Sequence, residues 1–446
     1  MTDCKSCGMN YDKKEYDLCP YCGEVPEDEV EISKEDARGK QPKKAEPELP
    51  GEAKTTGNLF KFIIIGLAAF VVVAAAIYAL FFLGNSAVTV PGKYATIQEA
   101  IDAAEDGEEI VVDVGVYREN IDFNGKNIIL RSTDPDDPDV VGDTIIDGGG
   151  SGTVVSFRSG EGEGAVLSGF TVTRGSGVLI SGGSSPVIEK CIIENNTAEF
   201  GAGIAIFDSS PIIRGNLIIG NSGFLGGGIF IEESSPLVEG NTIIRNRAEM
   251  GSGMVIISDS SPIVVDNRIA DNVAARLGGG IVVAVNSSPT IKGNIVTGNI
   301  ADRNGGGMLI EESDPIVEGN TFSRNRAANG GALFIVNSIN TALLITGNSI
   351  NDNLASIAGG GLYMEGSSPT IEDNNFKDNL SEYLGGGAAV YNSSPVFRRN
   401  TFEGNEAMGP EGGGAVWVSA DSILELSVPD DNNYLLNIPD DIYLEQ

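Results

Sequence analysis

Histidine is absent from the 446 residues, which removes any Ser-His or Cys-His nucleophile pair and any imidazole metal ligand. Basic residues are scarce: 29 Lys and Arg stand against 63 Asp and Glu, a formal charge of −34. Such a surface repels nucleic acid and anionic lipid, and it favours cations and solubility. Cysteine is nearly missing as well. Four of the five lie within the first 22 residues, which argues against a disulfide framework and for metal. Glycine is plentiful at 59, and the length is too great for one ordinary core, so more than one region is expected.

What is present begins with CKSCGMNYDKKEYDLCPYC. Two C-x2-C turns place Cys4, Cys7, Cys19 and Cys22 for tetrahedral zinc. So short a segment has no core, so metal binding would supply its folding energy. A four-cysteine site has no open position, which makes the expected zinc structural. The endings resemble the knuckles of small zinc ribbons that begin many prokaryotic membrane proteins, and residues 1–24 are assigned to one. Residues 25–58 mix Glu, Asp, Lys and Pro with almost no large apolar residues and read as a flexible linker. The run Phe62 to Leu83 carries no charge and, at helical rise, spans roughly 33 Å, enough for a bilayer; the span is taken as 59–83. It starts too late and runs too long for a cleaved signal peptide. Basic residues crowd its amino-terminal side, from Lys34 to Lys54, and the first after it is Lys93. The positive-inside rule then places the cysteines in the cytoplasm and everything after Leu83 outside a cell membrane crossed once.

Residues 84–446 form the last region, with regular repeats at about 184–420. Prolines recur at Pro186, Pro211, Pro236, Pro262, Pro289, Pro315, Pro369 and Pro395, a period of 25 to 27 residues with one beat missed near Ala342. Five residues on stand Asn216, Asn241, Asn267, Asn294, Asn320, Asn374 and Asn400, with Asn348 in the copy without proline. Five further come Asn196, Asn221, Asn246, Asn272, Asn299, Asn325, Asn353, Asn379 and Asn405, followed by glycines. That much glycine breaks helices. The apolar pieces between are short and rich in Ile and Val, which means strands. The period therefore predicts an all-β fold: a right-handed single-stranded parallel β-helix, three strands per rung, about twelve rungs. Columns such as Ile213, Val238, Val264 and Ile218, Ile243, Ile269 point inward. The asparagines sit at bends, where their side chains satisfy stranded amides and bond the copy one rung away. Cys191 takes one asparagine slot and reads as a small buried residue. Ile97, Ala100, Ile101 and Ala104 share one face of a short helix that would cover the open end. The tail from Ser422 loses the repeat and is expected to cap the other end.

The opening ATIQEAIDAAEDGEEIVVDVGVYREN, TIIDGGG at Thr144 and LSGFTVTRGSG at Leu167 resemble the start of pectin-lyase-like right-handed β-helix repeat proteins, over roughly residues 88 to 420. FSRN at Phe322, FKDN at Phe376 and FEGN at Phe402, each ahead of GGA, are similar to repeats of polymorphic outer membrane adhesins. The first resemblance implies a fold that includes polysaccharide lyases, polygalacturonases, pectin esterases and non-catalytic surface proteins. The polygalacturonase signature needs a histidine, and no pectin-esterase or pectate-lyase motif is evident.

Candidate sites follow from the repeat. The DPDDPD run at Asp134 is a candidate calcium site, with an exposed acidic turn between early strands as the favoured reading. Residues ahead of the serines (Asp208, Glu233, Asp259, Asn286, Glu312, Asn337, Asn392) stack as an acidic stripe that invites cations. Glu232, Glu233, Glu311 and Glu312 are candidate paired carboxylates on a glycan groove. An outward apolar column runs through Ala205, Phe230, Val255, Val282, Leu309, Phe334, Tyr363, Ala389 and Val416. It is either a partner surface or is covered by the segment between the second asparagine and the glycines. Catalysis breaks repeat symmetry at one place, and here the copies look alike. The expectation is a membrane-anchored, extracytoplasmic, non-catalytic module binding glycan, envelope or protein through Phe230, Leu309, Phe334, Tyr363, Glu233 and Glu312, with no nucleic-acid partner. The alternative is a polysaccharide lyase or hydrolase; a structural spacer is the third reading.

Overall fold

The computed structural model describes residues 2–3, 10–11, 88–339, 342–426 and 431–445. The chain divides into Met1–Ala76 and Ile77–Gln446. In the first unit Thr2–Asp3 pairs antiparallel with Asn10–Tyr11. Cys4, Cys7, Cys19, Cys22, the linker and the apolar run Phe62 to Leu83 lie outside the described residues. Among the described residues no helix is long and apolar enough to cross a membrane.

The second unit is a parallel β-solenoid of about thirteen turns. Each regular turn visits four sheets, as in Leu237–Glu239, Thr242–Ile244, Arg247–Met250 and Met254–Ile257. The first, second and third sheets hold 14, 13 and 13 strands, and the one visited between the second and third holds 9. The expected three strands per rung are thus corrected to four over most of the repeat. The extra strand is the segment after the second asparagine, for which the sequence offers a covering loop as one of two readings.

Register keeps like over like. Val238 pairs with Val264, Ile243 with Ile269 and Ile231 with Ile256, so β-branched side chains stack on themselves along the axis. All of these are fully buried in one continuous core. Aromatic stacks do the same farther along, with the Phe376 and Phe402 rings 4.6 Å apart and nearly parallel. The turn from the fourth strand into the third sheet starts at a glycine that must be a glycine. Gly226 has φ +66°, and a Cβ there would meet the Ile229 carbonyl at 2.5 Å. The missed proline beat is filled by Leu343, whose carbonyl accepts from Thr370 as Pro369 accepts from Val396.

Helix α1 (Ile97–Ala103) covers the amino-terminal end, with Ile97, Ala100, Ile101 and the following Ala104 buried as the sequence predicts. Thr96 caps its start. Lys126 closes its other end, Nζ donating to the carbonyls of Ile101, Asp102 and Ala104 at 2.7 to 2.8 Å. The tail differs from expectation. Glu425–Leu426, Asn433–Leu435 and Ile442–Leu444 add one more turn to the first three sheets. The repeat looked lost because that turn is lengthened: Asn400 and Asn405 meet Asn432 and Asn437, each 32 residues on.

Candidate functional site

Both asparagine columns are ladders. The Asn241 amide donates to Asn267 Oδ1 at 2.9 Å, and its Nδ2 donates to the same oxygen at 3.0 Å and to the Ile213 carbonyl at 2.8 Å. Asn246 repeats the pattern with Asn272 and Ile218. From Asn196 to Asn405 no member is more than 2% exposed. These side chains hold bends and reach no ligand. Cys191 heads one ladder: its amide donates to Asn216 Oδ1, while Sγ donates to the Glu189 carbonyl at 3.2 Å. Burial pushes its thiol up to about 12, so it is an inert, space-filling group rather than a nucleophile.

A third ladder was missed in the sequence. The Ser234 amide donates to Ser260 Oγ at 3.1 Å and the Ser260 amide to Ser287 Oγ at 3.3 Å, and the series runs from Ser209 to Ser422. The signal was available. The first residue of each Ser-x-Pro corner is always serine, whereas the second includes Asp314. Immediately before seven of the ladder serines stands the exposed column Asp208, Glu233, Asp259, Asn286, Glu312, Asn337 and Asn392, every one in the left-handed region with φ between 44 and 58°, interrupted before Ser367 by the half-buried Gly366. Asn and Asp tolerate this conformation, which explains five of the seven; Glu233 and Glu312 adopt it at the same corner. Beyond the ladder, Ser210, Ser235, Ser261, Ser288 and Ser394 are exposed too. The corner therefore presents an amide or carboxylate and, on most turns, a hydroxyl, repeating at a strand spacing of about 4.8 Å. That arrangement can exchange hydrogen bonds with a hydroxyl-rich polymer or attract cations. Glu232, half-buried, accepts from Ser258 Oγ at 3.3 Å.

The apolar column is covered. Phe230 and Leu309 are 1% exposed and Phe334 is 5% exposed, in a cluster with Val255 and Val282 packed under Leu225 and Leu277 of the fourth sheet. An open binding face at Phe230, Leu309 and Phe334 is therefore corrected: the fourth strands bury it. Tyr363 is half-buried, stacked on Phe334 at 5.1 Å, and burial, with Glu365 and Tyr391 adding, pushes its hydroxyl up to about 12.

The run from Asp134 forms a turn and a cap. Asp134 accepts from the Asp136 amide, Asp137 caps α2 (Pro138–Asp143), and Asp136 pairs with Lys190 at 2.6 Å. Among the described residues no three Cys, Asp or Glu side chains gather to hold a metal ion. A carboxylate not singled out in the sequence is Glu161, wholly buried beside Ser184, one turn ahead of the serine ladder. It accepts from the Gly125 amide at 2.8 Å, the Ser159 amide at 3.0 Å and Ser184 Oγ at 2.7 Å.

A stretch of 118 residues is 35% identical to "Probable pectinesterase/pectinesterase inhibitor 17" of Arabidopsis thaliana, covering 23% of this chain and 22% of that protein. The chain thus spans about a fifth of the length of that curated relative. Among solved structures, the catalytic unit of a thermostable GH87 α-1,3-glucanase from Streptomyces thermodiastaticus aligns over 81% of this chain and 70% of its own, with a TM-score of 0.31 and 12% identity, a likeness too distant to carry an argument. The family model described as "Right handed beta helix region" matches residues 116–235, 158–301 and 276–428, overlapping segments that together cover most of the solenoid, and the chain belongs to that right-handed β-helix family.

Proposed function

We propose that the solenoid is a non-catalytic polysaccharide-binding module, displayed outside the cell by the apolar run Phe62 to Leu83. The observation that carries this reading is the exposed corner column through Glu233 and Glu312. It offers hydrogen-bonding groups once per turn except at Gly366, held in register by the buried serine ladder. A polymer of sugar hydroxyls can follow such a column over many turns, where a small ligand would use one. Carboxylates on the column suit neutral glycans directly and acidic glycans through bridging cations. The curated relative bears the name of a pectin-modifying protein, which supports polysaccharide as the ligand class. Copies that repeat one another favour binding over turnover. The test is a panel of neutral and acidic polysaccharides presented to the full chain in detergent, with calcium present and chelated. Saturable binding is expected, weakened about tenfold (roughly 1.4 kcal/mol) in Glu233→Lys/Glu312→Lys with an unchanged melt. Release of methanol, new reducing ends or unsaturated ends would make the protein an enzyme, and silence across the panel would leave a spacer.

A further inference from the structure

The fourth sheet has an open edge. Its nine strands begin at Thr197–Phe200, and among the described residues no strand pairs with the far side of that first one; the preceding turn touches it at Thr197 alone, whose amide donates to the Gly175 carbonyl at 2.8 Å and whose carbonyl accepts from Ser176 Oγ at 3.4 Å. From that first strand to Glu406–Ala407, the sheet roofs the apolar column of the third sheet. The column itself continues one turn beyond the roof: Ala205 is paired to Leu179, which is only half-buried. Under the missing strand lies an open hollow of about 200 Å³, floored by Leu179, Ala205 and Phe207 and walled by Glu199 and Phe200. Phe200 is 37% exposed at its rim, with its ring 5.2 Å from that of Phe230.

The other turns show what fits there. Strands of the fourth sheet carry a small residue turned inward, as at Ala248, Ala274 and Ala301, then a large apolar one over the column, as at Leu225 and Leu277. One charge pair crosses the sheet among the described residues: Arg276 lies 3.7 Å from Glu249 on the preceding strand. Glu199 stands on the first strand at the place that Glu249 occupies on its own, with no ion pair among the described residues.

We propose that this edge docks an extended, basic segment of a partner protein, which adds a parallel strand to the fourth sheet. Main-chain hydrogen bonds to the strand beyond Thr197 supply the pairing, an apolar side chain fills the hollow over Leu179, and an Arg or Lys meets Glu199. A polysaccharide offers neither the alternating amides nor the apolar side chain. A second copy of this chain is opposed by its own charge of −34. The site is independent of the serine corner.

The probe is a dye-labelled peptide with the sequence of residues 271–279, DNVAARLGG, which carries the small, basic and apolar residues in the order the edge requires. Titrated with the full chain in detergent, it should show saturable one-to-one binding by fluorescence anisotropy. Glu199→Lys in the protein, or Arg276→Glu in the peptide, should weaken binding about tenfold, and the two changes together should restore it. Glu233→Lys in the serine corner should leave it unchanged. Equal melts for wild type and Glu199→Lys exclude a folding defect. No saturation at millimolar peptide, or indifference to the charge swap, overturns the proposal. So does chain dimerisation that Glu199→Lys abolishes, or displacement of the peptide by polysaccharide.

Discussion

A single asparagine in this solenoid answers for two turns. Asn294 Oδ1 accepts from both the amide and Nδ2 of Asn267, while its own Nδ2 donates to Asn320 and to the Val264 and Lys292 carbonyls. Asn294→Ala therefore strands the buried Asn267 amide, a cost of about 1–3 kcal/mol. Asn241→Ala and Asn320→Ala should cost a similar amount, because each turn contributes much the same and stability is close to a sum over turns. Thermal melts of the three variants check this, and glycan binding by the folded variants should not change. A single variant that loses binding with its melt intact would mark that turn as a site.

Elements respond differently, because each strand covers or is covered by another. Phe230 was a candidate contact residue by sequence and is a core residue by structure. Phe230→Ser should now lower stability by about 3–5 kcal/mol, as other deletions of a buried aromatic do, instead of weakening binding alone. One turn ahead of the serine ladder, burial by itself would raise the Glu161 carboxyl, but Ser184 and the Ser159 and Gly125 amides hold it below its ordinary value of 4.5. A carboxyl whose folded pKa is depressed contributes stability that is fully present above 4.5 and is lost as pH falls through the folded value. Glu161→Gln should therefore melt lower than wild type at neutral pH, and the gap should narrow in acid. Melts between neutral pH and about pH 3 measure it.

For the whole molecule, charge and length set the expectations. The lysine asymmetry around Phe62 to Leu83 predicts that protease added to intact cells removes the repeats and spares the cysteines. The recovered amino-terminal fragment should carry one zinc through Cys4, Cys7, Cys19 and Cys22. Protection of the repeats would reverse the orientation, and a fragment without metal would remove the zinc ribbon. The surplus of carboxylates also keeps neighbouring solenoids apart, which suits a long stack of parallel strands with exposed edges.

The period, the inward columns, both asparagine ladders and the covering helix were legible in the sequence. Each is a local rule repeated many times, and a two-residue alternation or a bend requirement leaves its mark at every turn. The serine ladder was written there too, in a column that never varies, but a serine beside a proline reads as a turn residue until its hydroxyl is seen facing an amide of the preceding turn. The seven-residue corner was found as a stripe; its left-handed backbone was not. Only the tertiary structure decided which apolar column is surface and which is core. Ile231 and Phe230 are neighbours on one strand and face opposite ways, and periodicity cannot say what lies over the outward one. The fourth strand covers Phe230 because Ala248 and its equivalents are small enough for the two sheets to close. That cover stops at Thr197–Phe200, a boundary set by where the chain next returns to the same place in space.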